Sequence, residues 1–121
     1  MDFFPSFVEM AGGSPQPSPA LDGESFVPLL RGATALKREA LHWHFPHRPR
    51  RPSLGNSGAI RKGNYKLVEK FSNGKIELYD LSVDLGEKKD LAAKLPAKTK
   101  ELLHDLRTWR NEVGAFMPAN D

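Results

Sequence analysis

The 121-residue sequence contains no cysteine, and this absence excludes several kinds of chemistry. Without a thiol, the chain can form no disulfide, no thiolate metal site and no cysteine nucleophile. No apolar run approaches the ~20 residues that cross a bilayer, so we expect no membrane partner. The first residues, MDFFPSFVEMAGG, have no basic cluster and are therefore unlike a secretory signal. The localisation of the chain stays unknown from its sequence.

Sequence signatures of common catalytic sites are also missing. The chain has no phosphate-binding GxxxxGK[ST] loop, no GxGxxG, no GxSxG and no HExxH. Its net charge is only +3, and its most basic stretch is HRPRRP at residues 47–52. No aromatic residue is interleaved with these arginines, so we expect no nucleic-acid partner. Residue chemistry alone therefore identifies no catalytic residue.

The pattern of apolar residues predicts an α+β fold. We expect a small antiparallel sheet of three to four strands with a long C-terminal helix packed on it, preceded by two short helices. In the last hairpin, Asn73-Gly74 predicts a two-residue type I′ turn. That turn would place Phe71 opposite Ile76 and Lys70 opposite Glu77.

Four segments carry helix signals. Residues 2–11 are predicted to form a helix capped by Asp2, and residues 21–32 a short turn of helix that ends at Gly32. The segment SVDLGEKKDLAAKL is expected to include a short piece of helix with Asp90 as its cap. The last helix should begin at Pro96. Its apolar stripe is predicted to consist of Leu102, Leu103, Leu106, Trp109 and Val113, with Arg107 and Arg110 off the stripe.

The segment HWHFPH contains the best candidates for ligand contact. His42 and His44 lie two residues apart, so on a strand both point to one face and could reach one ion. Zinc usually takes three or four ligands, so two histidines make a weak metal signal. With His47 and Arg48 nearby, contact with an anionic substrate is an alternative. A third interpretation is that these are partly exposed strand histidines beside a solvated loop.

Several motifs, taken in chain order, closely resemble the C-terminal part of the sulfatase (arylsulfatase) family. They are DFFPSFVEMAG, LDGESFVPLLRG, REALHWHFPH, AIRKGNYKL, ELYDLSVDLGEKKDLA and the closing tryptophan-bearing helix. The resemblance is collinear and covers nearly the whole chain. It implies the C-terminal subdomain of an enzyme of the alkaline-phosphatase-like superfamily. Residues 1–37 would be the end of the large sulfatase domain plus a linker, and residues 38–121 the subdomain.

The resemblance also implies that the catalytic groups of the enzyme lie outside this chain. Sulfatases hydrolyse sulfate esters with calcium and a formylglycine made in a Cys/Ser-x-Pro-x-Arg motif, and this chain lacks that motif. The resemblance thus implies an inactive fragment with no catalytic or metal residue and no cofactor of its own. It implies a substrate-rim role for four residues, namely His42, His44, His47 and Arg48. The parent enzymes are often secreted, periplasmic or lysosomal.

The expected partners follow from the same resemblance. They are an upstream sulfatase domain, or a second copy of the chain through the apolar residues Phe3, Phe4 and Phe7, with a sulfated substrate in the full enzyme. A stand-alone module that binds an anionic ligand or a protein remains the alternative function. The sequence does not tell the natural substrate, exo or endo action, or the oligomeric state.

Overall fold

Three helices and four strands make up the part of the chain that the computed structural model describes, which is residues 1–14, 22–46 and 56–117. These elements divide into two units, Met1–Glu39 and Ala40–Asp121. The expected α+β fold is confirmed. In chain order the elements are α1 (Phe3–Met10), α2 (Val27–Leu30), β1 (Ala40–Phe45), β2 (Ser57–Lys62), β3 (Tyr65–Lys70), β4 (Ile76–Asp80) and α3 (Pro96–Glu112).

The four strands form one antiparallel sheet in the order β1-β2-β3-β4. A tight two-residue turn joins β2 to β3, because Lys62 pairs with Tyr65. Gly63 opens this turn with a φ of 59°, whereas Asn64 has no positive φ. A positive φ at the first central position alone is the pattern of a type II′ turn, which favours glycine at that position.

The β3–β4 register differs from the predicted one. Glu69, not Phe71, lies opposite Ile76, so the loop is longer than two residues. The partner of Ile76 is thus two residues earlier on β3 than predicted, and a shift of two keeps the same residues of the two strands on a common face. The cross-strand partners differ from the prediction, but the residues that share a face do not.

A four-residue loop explains this shift. Lys70 donates its N–H to the carbonyl of Lys75 at 2.9 Å, which leaves residues 71–74 as the loop. Gly74 takes a φ of 67°, but Asn73 stays at negative φ and its side chain accepts the N–H of Lys75 at 3.0 Å. A type I′ turn needs positive φ at both central residues. The local hydrogen bond of Asn73 favours the longer loop instead.

Helix α3 covers one face of the sheet. It begins at Pro96 as predicted, and Leu102 and Leu106 are buried on it. On the sheet side, one apolar residue from each of the three strands β2, β3 and β4 completes the core. The fully buried core consists of Ile60, Leu67, Leu78, Leu102 and Leu106. Val113, predicted to end the apolar stripe, is 54% exposed.

The segment between β4 and α3 contains no extended helix, but residues 91–95 form one hydrogen-bonded turn, in which Leu95 donates its N–H to the carbonyl of Leu91 at 2.9 Å. Asp90 caps this turn as predicted, because its carboxylate accepts the N–H of Ala92 at 2.9 Å. The same oxygen also accepts the N–H of Leu78 at 3.1 Å. Leu91 also donates its N–H to the carbonyl of Leu78 at 2.7 Å. The segment thus satisfies the backbone N–H and carbonyl of Leu78 at the outer edge of β4.

The first unit is held together by side chains around the start of α1. Asp2 makes no capping hydrogen bond, contrary to the prediction. Its carboxylate instead accepts the N–H of Glu24 at 3.1 Å and both guanidinium Nη atoms of Arg38, one of them at 2.8 Å. The hydrogen bond from Arg38 is the main reason why the pKa of Asp2 is lowered to about 2.

The apolar face of α1 is largely open to solvent. Phe3 makes an edge-on contact with Phe26, with ring centroids 5.5 Å apart, and Gly32 ends the short α2 at a φ of 95° as predicted. Even so, Phe3, Phe4, Phe7 and Met10 are 64, 60, 59 and 50% exposed. Self-association through these residues stays a prediction. Among the described helices, none combines the length and apolarity that a membrane span requires.

Candidate functional site

His42 packs against the long helix. It pairs with Ile60 on β2, and paired residues point to the same face of a sheet, so His42 lies on the face that α3 covers. Its ring stacks on that of Trp109 with centroids 4.6 Å apart and planes only 8° from parallel. Burial lowers the pKa of His42 below its ordinary value of 6.5, and the carboxylates of Asp105 and Glu112 oppose this shift without cancelling it.

The lowered pKa of His42 predicts that stability depends on pH. The unfolded chain takes up a proton near pH 6.5, whereas the folded chain resists it, so the free energy of unfolding should fall as the pH drops below that value. Urea unfolding at pH 7.5 and pH 5.5 measures the difference. The control variant His42→Phe retains an aromatic ring against Trp109 but cannot titrate, so its stability should change less. An equal change in both proteins would contradict the prediction.

His44 is anchored by the segment that follows α3. Its Nε2 donates to the carbonyl of Phe116 at 2.7 Å, and its ring lies 5.4 Å from that of Phe71. Because this bond places the hydrogen on Nε2, Nδ1 of a neutral ring is an acceptor. This Nδ1 is buried and has no partner among the described residues, and the same is true of Oδ1 of Asn56.

A buried ion pair lies beside the ring of Phe71. Arg110 and Glu69 are 5 and 7% exposed, and a guanidinium Nη of Arg110 donates to Oε2 of Glu69. Arg107 donates to Oε1 of the same carboxylate at 2.6 Å. The guanidinium of Arg110 also lies over the ring of Phe71, at 5.2 Å from its centroid. The carboxylate thus has two charged donors, which offset the cost of its burial.

Sequence reasoning missed this pair, although a signal was present. Arg110 follows Leu102 and Leu106 at steps of four, so it continues the buried row of α3 rather than leaving it. Glu69 follows Leu67 by two residues on β3 and therefore points to the same covered face.

The predicted rim residues are not all described. His42 and His44 are placed side by side on the face that packs against α3 and the chain after it, where both rings contact protein. His47 and Arg48 lie outside the described residues. In residues 1–14, 22–46 and 56–117, no three His, Cys, Asp or Glu side chains come together as a metal site would need. The substrate-binding role of the four residues stays a prediction.

The opposite face of the sheet carries a shallow depression of about 430 Å³. Trp43, Val68 and Tyr79 form its apolar part, and Lys66, Glu77 and Glu87 its charged part. Each of these three charges has a partner: Lys66 binds Glu87 at 2.6 Å, and Glu77 accepts from two lysines at 2.8 and 3.0 Å.

The pKa shifts of the groups in the depression agree with this pairing of charges. Burial is the main reason why the pKa of Tyr79 is raised to about 12, and the nearby charge of Glu77 adds to it. Burial acts to raise the pKa of Glu77, but the hydrogen bonds from Lys75 and Lys70 outweigh it, and the net pKa is lowered. At neutral pH the depression therefore offers a protonated tyrosine and paired charges.

Comparison with known proteins gives consistent matches. Residues 1–112 match the family described as N-sulphoglucosamine sulphohydrolase, C-terminal. A sulfatase of Formosa agariphila is 32% identical over 90% of this chain. An uncharacterized sulfatase of Schizosaccharomyces pombe is 33% identical over 100% of it. The chain spans about a fifth of these relatives, 22% of each.

Solved structures agree with the sequence relatives. BT4656, solved in complex with its substrate D-glucosamine-2-N,6-O-disulfate, matches 91% of this chain with a TM-score of 0.73 and 27% identity, over 23% of its own length. A putative sulfatase from Bacteroides thetaiotaomicron matches 99% of the chain with a TM-score of 0.67 and 25% identity, over 27% of its length. The chain belongs to the N-sulphoglucosamine sulphohydrolase C-terminal family and corresponds to the C-terminal region of sulfatases.

Proposed function

We propose that this chain serves as the C-terminal subdomain of an arylsulfatase-type enzyme that hydrolyses sulfate esters, and that it is inactive by itself. One observation supports this most directly: the family match runs over residues 1–112, yet the chain equals only 22% of either curated relative. The groups that cleave the ester then belong to the sulfatase region that precedes the subdomain.

The sequence does not supply the formylglycine that the sulfatase resemblance implies, and the described residues do not supply its calcium site. Formylglycine needs a Cys/Ser-x-Pro-x-Arg motif, which the sequence lacks, and it has no cysteine at all. Calcium prefers six to eight oxygen ligands. The described ranges bring no three candidate side chains together. We therefore derive no chemical step on this chain and assign it structural support and part of the substrate rim.

A sulfated sugar is the substrate class that we propose for the complete enzyme. BT4656 was solved with a disulfated glucosamine, and the matched family takes its description from N-sulphoglucosamine. Such a substrate is anionic, and the sequence places three arginines at positions 48, 50 and 51. Clustered positive charge raises the rate at which an anion is captured, and salt screens this effect.

We assign the four rim residues different tasks. The rings of His42 and His44 are held by Trp109 and by the Phe116 carbonyl, so they fix the position of β1. The chain that leaves β1 carries His47 and Arg48, and these two provide the direct contacts with the sulfated substrate.

Activity measurements test the proposal. The isolated chain should show no turnover of a chromogenic aryl sulfate, with or without calcium. A second protein, here named the Formosa chimera, is the Formosa agariphila sulfatase with this chain in place of its own aligned region. The chimera should hydrolyse the ester, whereas the Formosa enzyme without that region should not. Turnover by the isolated chain, or a folded but inactive chimera, would refute the proposal.

The rim assignment is tested in the same chimera. Arg48→Glu should raise KM for a sulfated sugar several-fold at low salt, because a positive charge at the rim becomes negative, and the effect should shrink at high salt. Lys94→Glu makes the same charge change at an exposed position in the segment before α3. Equal effects of both substitutions on KM would mean that net charge, rather than the rim, is responsible.

A further inference from the structure

The sheet has one covered face and one open face. Helix α3 packs on the face that contains Ile60, Leu67 and Leu78. Because side chains alternate along a strand, the neighbours of these residues point the other way. On β1 the outward residues are all large and apolar: Leu41, Trp43 and Phe45 are 37, 48 and 48% exposed.

The open face continues across the sheet. In the register of the strands, Trp43 lies opposite Ala59, which lies opposite Val68, and the row ends at Glu77 on β4. We define the open face by Leu41, Trp43, Phe45 and Val68, its apolar side chains that are not buried. Ala59 and Tyr79 point to the same side but are only 9 and 8% exposed. Where one face of an antiparallel sheet is open to solvent, the residues that point to that face are normally polar. Exposed apolar residues at such positions therefore indicate a surface that becomes buried.

The charges around the open face favour a protein as its occupant rather than an anionic sugar. A sulfated sugar needs cations that are available, but at the depression Lys66 is bonded to Glu87, and Glu77 takes both Lys70 and Lys75. The exposed Arg61, opposite Leu41, does not line the depression. Paired charges beside an apolar centre, with the exposed Trp43 as an aromatic anchor, are instead the composition of a protein–protein contact.

The lengths of the relatives indicate which protein. The chain accounts for 22% of two sulfatases and for 23 and 27% of two solved sulfatase structures. In each of these, about three-quarters of the polypeptide belongs to other regions of the same molecule. Helix α3 of this chain already covers one face of the sheet. The open face is therefore available for contact with the other regions of a sulfatase.

We infer that the open face docks against the preceding region of a sulfatase, with Trp43 as its central anchor, an inference that rests on the proposed function. Burial of Trp43 and its apolar neighbours against another protein surface removes apolar area from water, which stabilises the contact. Docking here holds the subdomain, and with it the basic segment after β1, against the catalytic part of the enzyme.

Cysteine labelling tests the docking, because the chain contains no natural cysteine. Trp43→Cys places a thiol on the open face, and Thr108→Cys places one at an exposed position of α3 as the control. In the isolated chain, both thiols should react with a maleimide. In the Formosa chimera, position 108 should still react, whereas position 43 should react at least tenfold more slowly. Peptide mass spectrometry reads the label at each position separately.

Each outcome decides the inference. Equal labelling of positions 43 and 108 in the chimera would overturn it. Protection of position 43 in the isolated chain that grows with protein concentration would also overturn it, because the occupant would then be a second copy. If Trp43→Cys reduces the soluble yield of the chimera but not of the isolated chain, the inference is supported. Sulfatase activity of the same chimera reports on the proposed function independently, so an active chimera with an unprotected position 43 rejects the docking alone.

Discussion

Substitution of Arg110 by methionine is expected to reduce the free energy of unfolding by about 3 kcal/mol. Methionine has a similar length and keeps the packing of α3, but it removes a charged donor of Glu69. Glu69 is only 7% exposed, so its carboxylate would stay buried with less compensation. Arg107 remains as a donor, and this keeps the loss at the lower end of the range for broken buried pairs.

Urea unfolding of the isolated chain measures this loss, with Arg107→Met as the matched control. The side chain of Arg107 is 57% exposed, so its removal should cost less than about 1 kcal/mol. The double variant Glu69→Met, Arg110→Met should recover part of the loss, because no unpaired charge is then left in the interior. Equal destabilisation by the two arginine substitutions would show that the burial of Arg110 does not matter.

Leu106→Ala is expected to destabilise the second unit by about 3 kcal/mol. Leu106 is fully buried between α3 and the sheet and belongs to the five-residue core with Ile60, Leu67, Leu78 and Leu102. The substitution removes three carbon atoms and leaves a cavity that the rigid sheet cannot fill. With only five fully buried apolar side chains in that core, a loss of this size is a large part of the stability of a small domain.

The control for Leu106 uses the same chemical change at the surface. Leu85 is 84% exposed, so Leu85→Ala should alter the free energy of unfolding by less than about 0.5 kcal/mol. Chemical denaturation followed by far-UV circular dichroism compares the two variants. A loss below about 1 kcal/mol for Leu106→Ala would mean that α3 is not packed on the sheet as described.

Long, strongly patterned elements were predictable. The position of α3, its start at Pro96 and the buried leucines 102 and 106 follow from helical spacing and from the geometry of proline. The strands were predictable too, because period-two alternation marks both of their faces. What alternation cannot tell is which face becomes covered. On β1 the covered face is that of His42 and His44, and the larger residues at 41, 43 and 45 point outward.

Segments governed by hydrogen bonds between distant parts of the chain were predicted poorly. Asp2 follows the local rule for a helix cap, yet its carboxylate binds Arg38, which is far away in sequence. Asp90 makes its local bond to the N–H of Ala92, but its second bond, to the N–H of Leu78, could not be predicted from the local pattern. The hairpin loop was mispredicted because the side chain of Asn73 bonds the backbone two residues on. Such competition between hydrogen bonds is decided by small energies that a local pattern does not show.

The sequence by itself determined the α+β fold, the family and the lack of a cysteine or formylglycine motif, since these depend on residue identity and on local periodicity. Tertiary structure alone decided that Glu69 and Arg110 are paired in the interior and that Trp43 lies on the uncovered side of the sheet. Both depend on which elements pack together, and packing is fixed by burial across the whole unit rather than by any one segment.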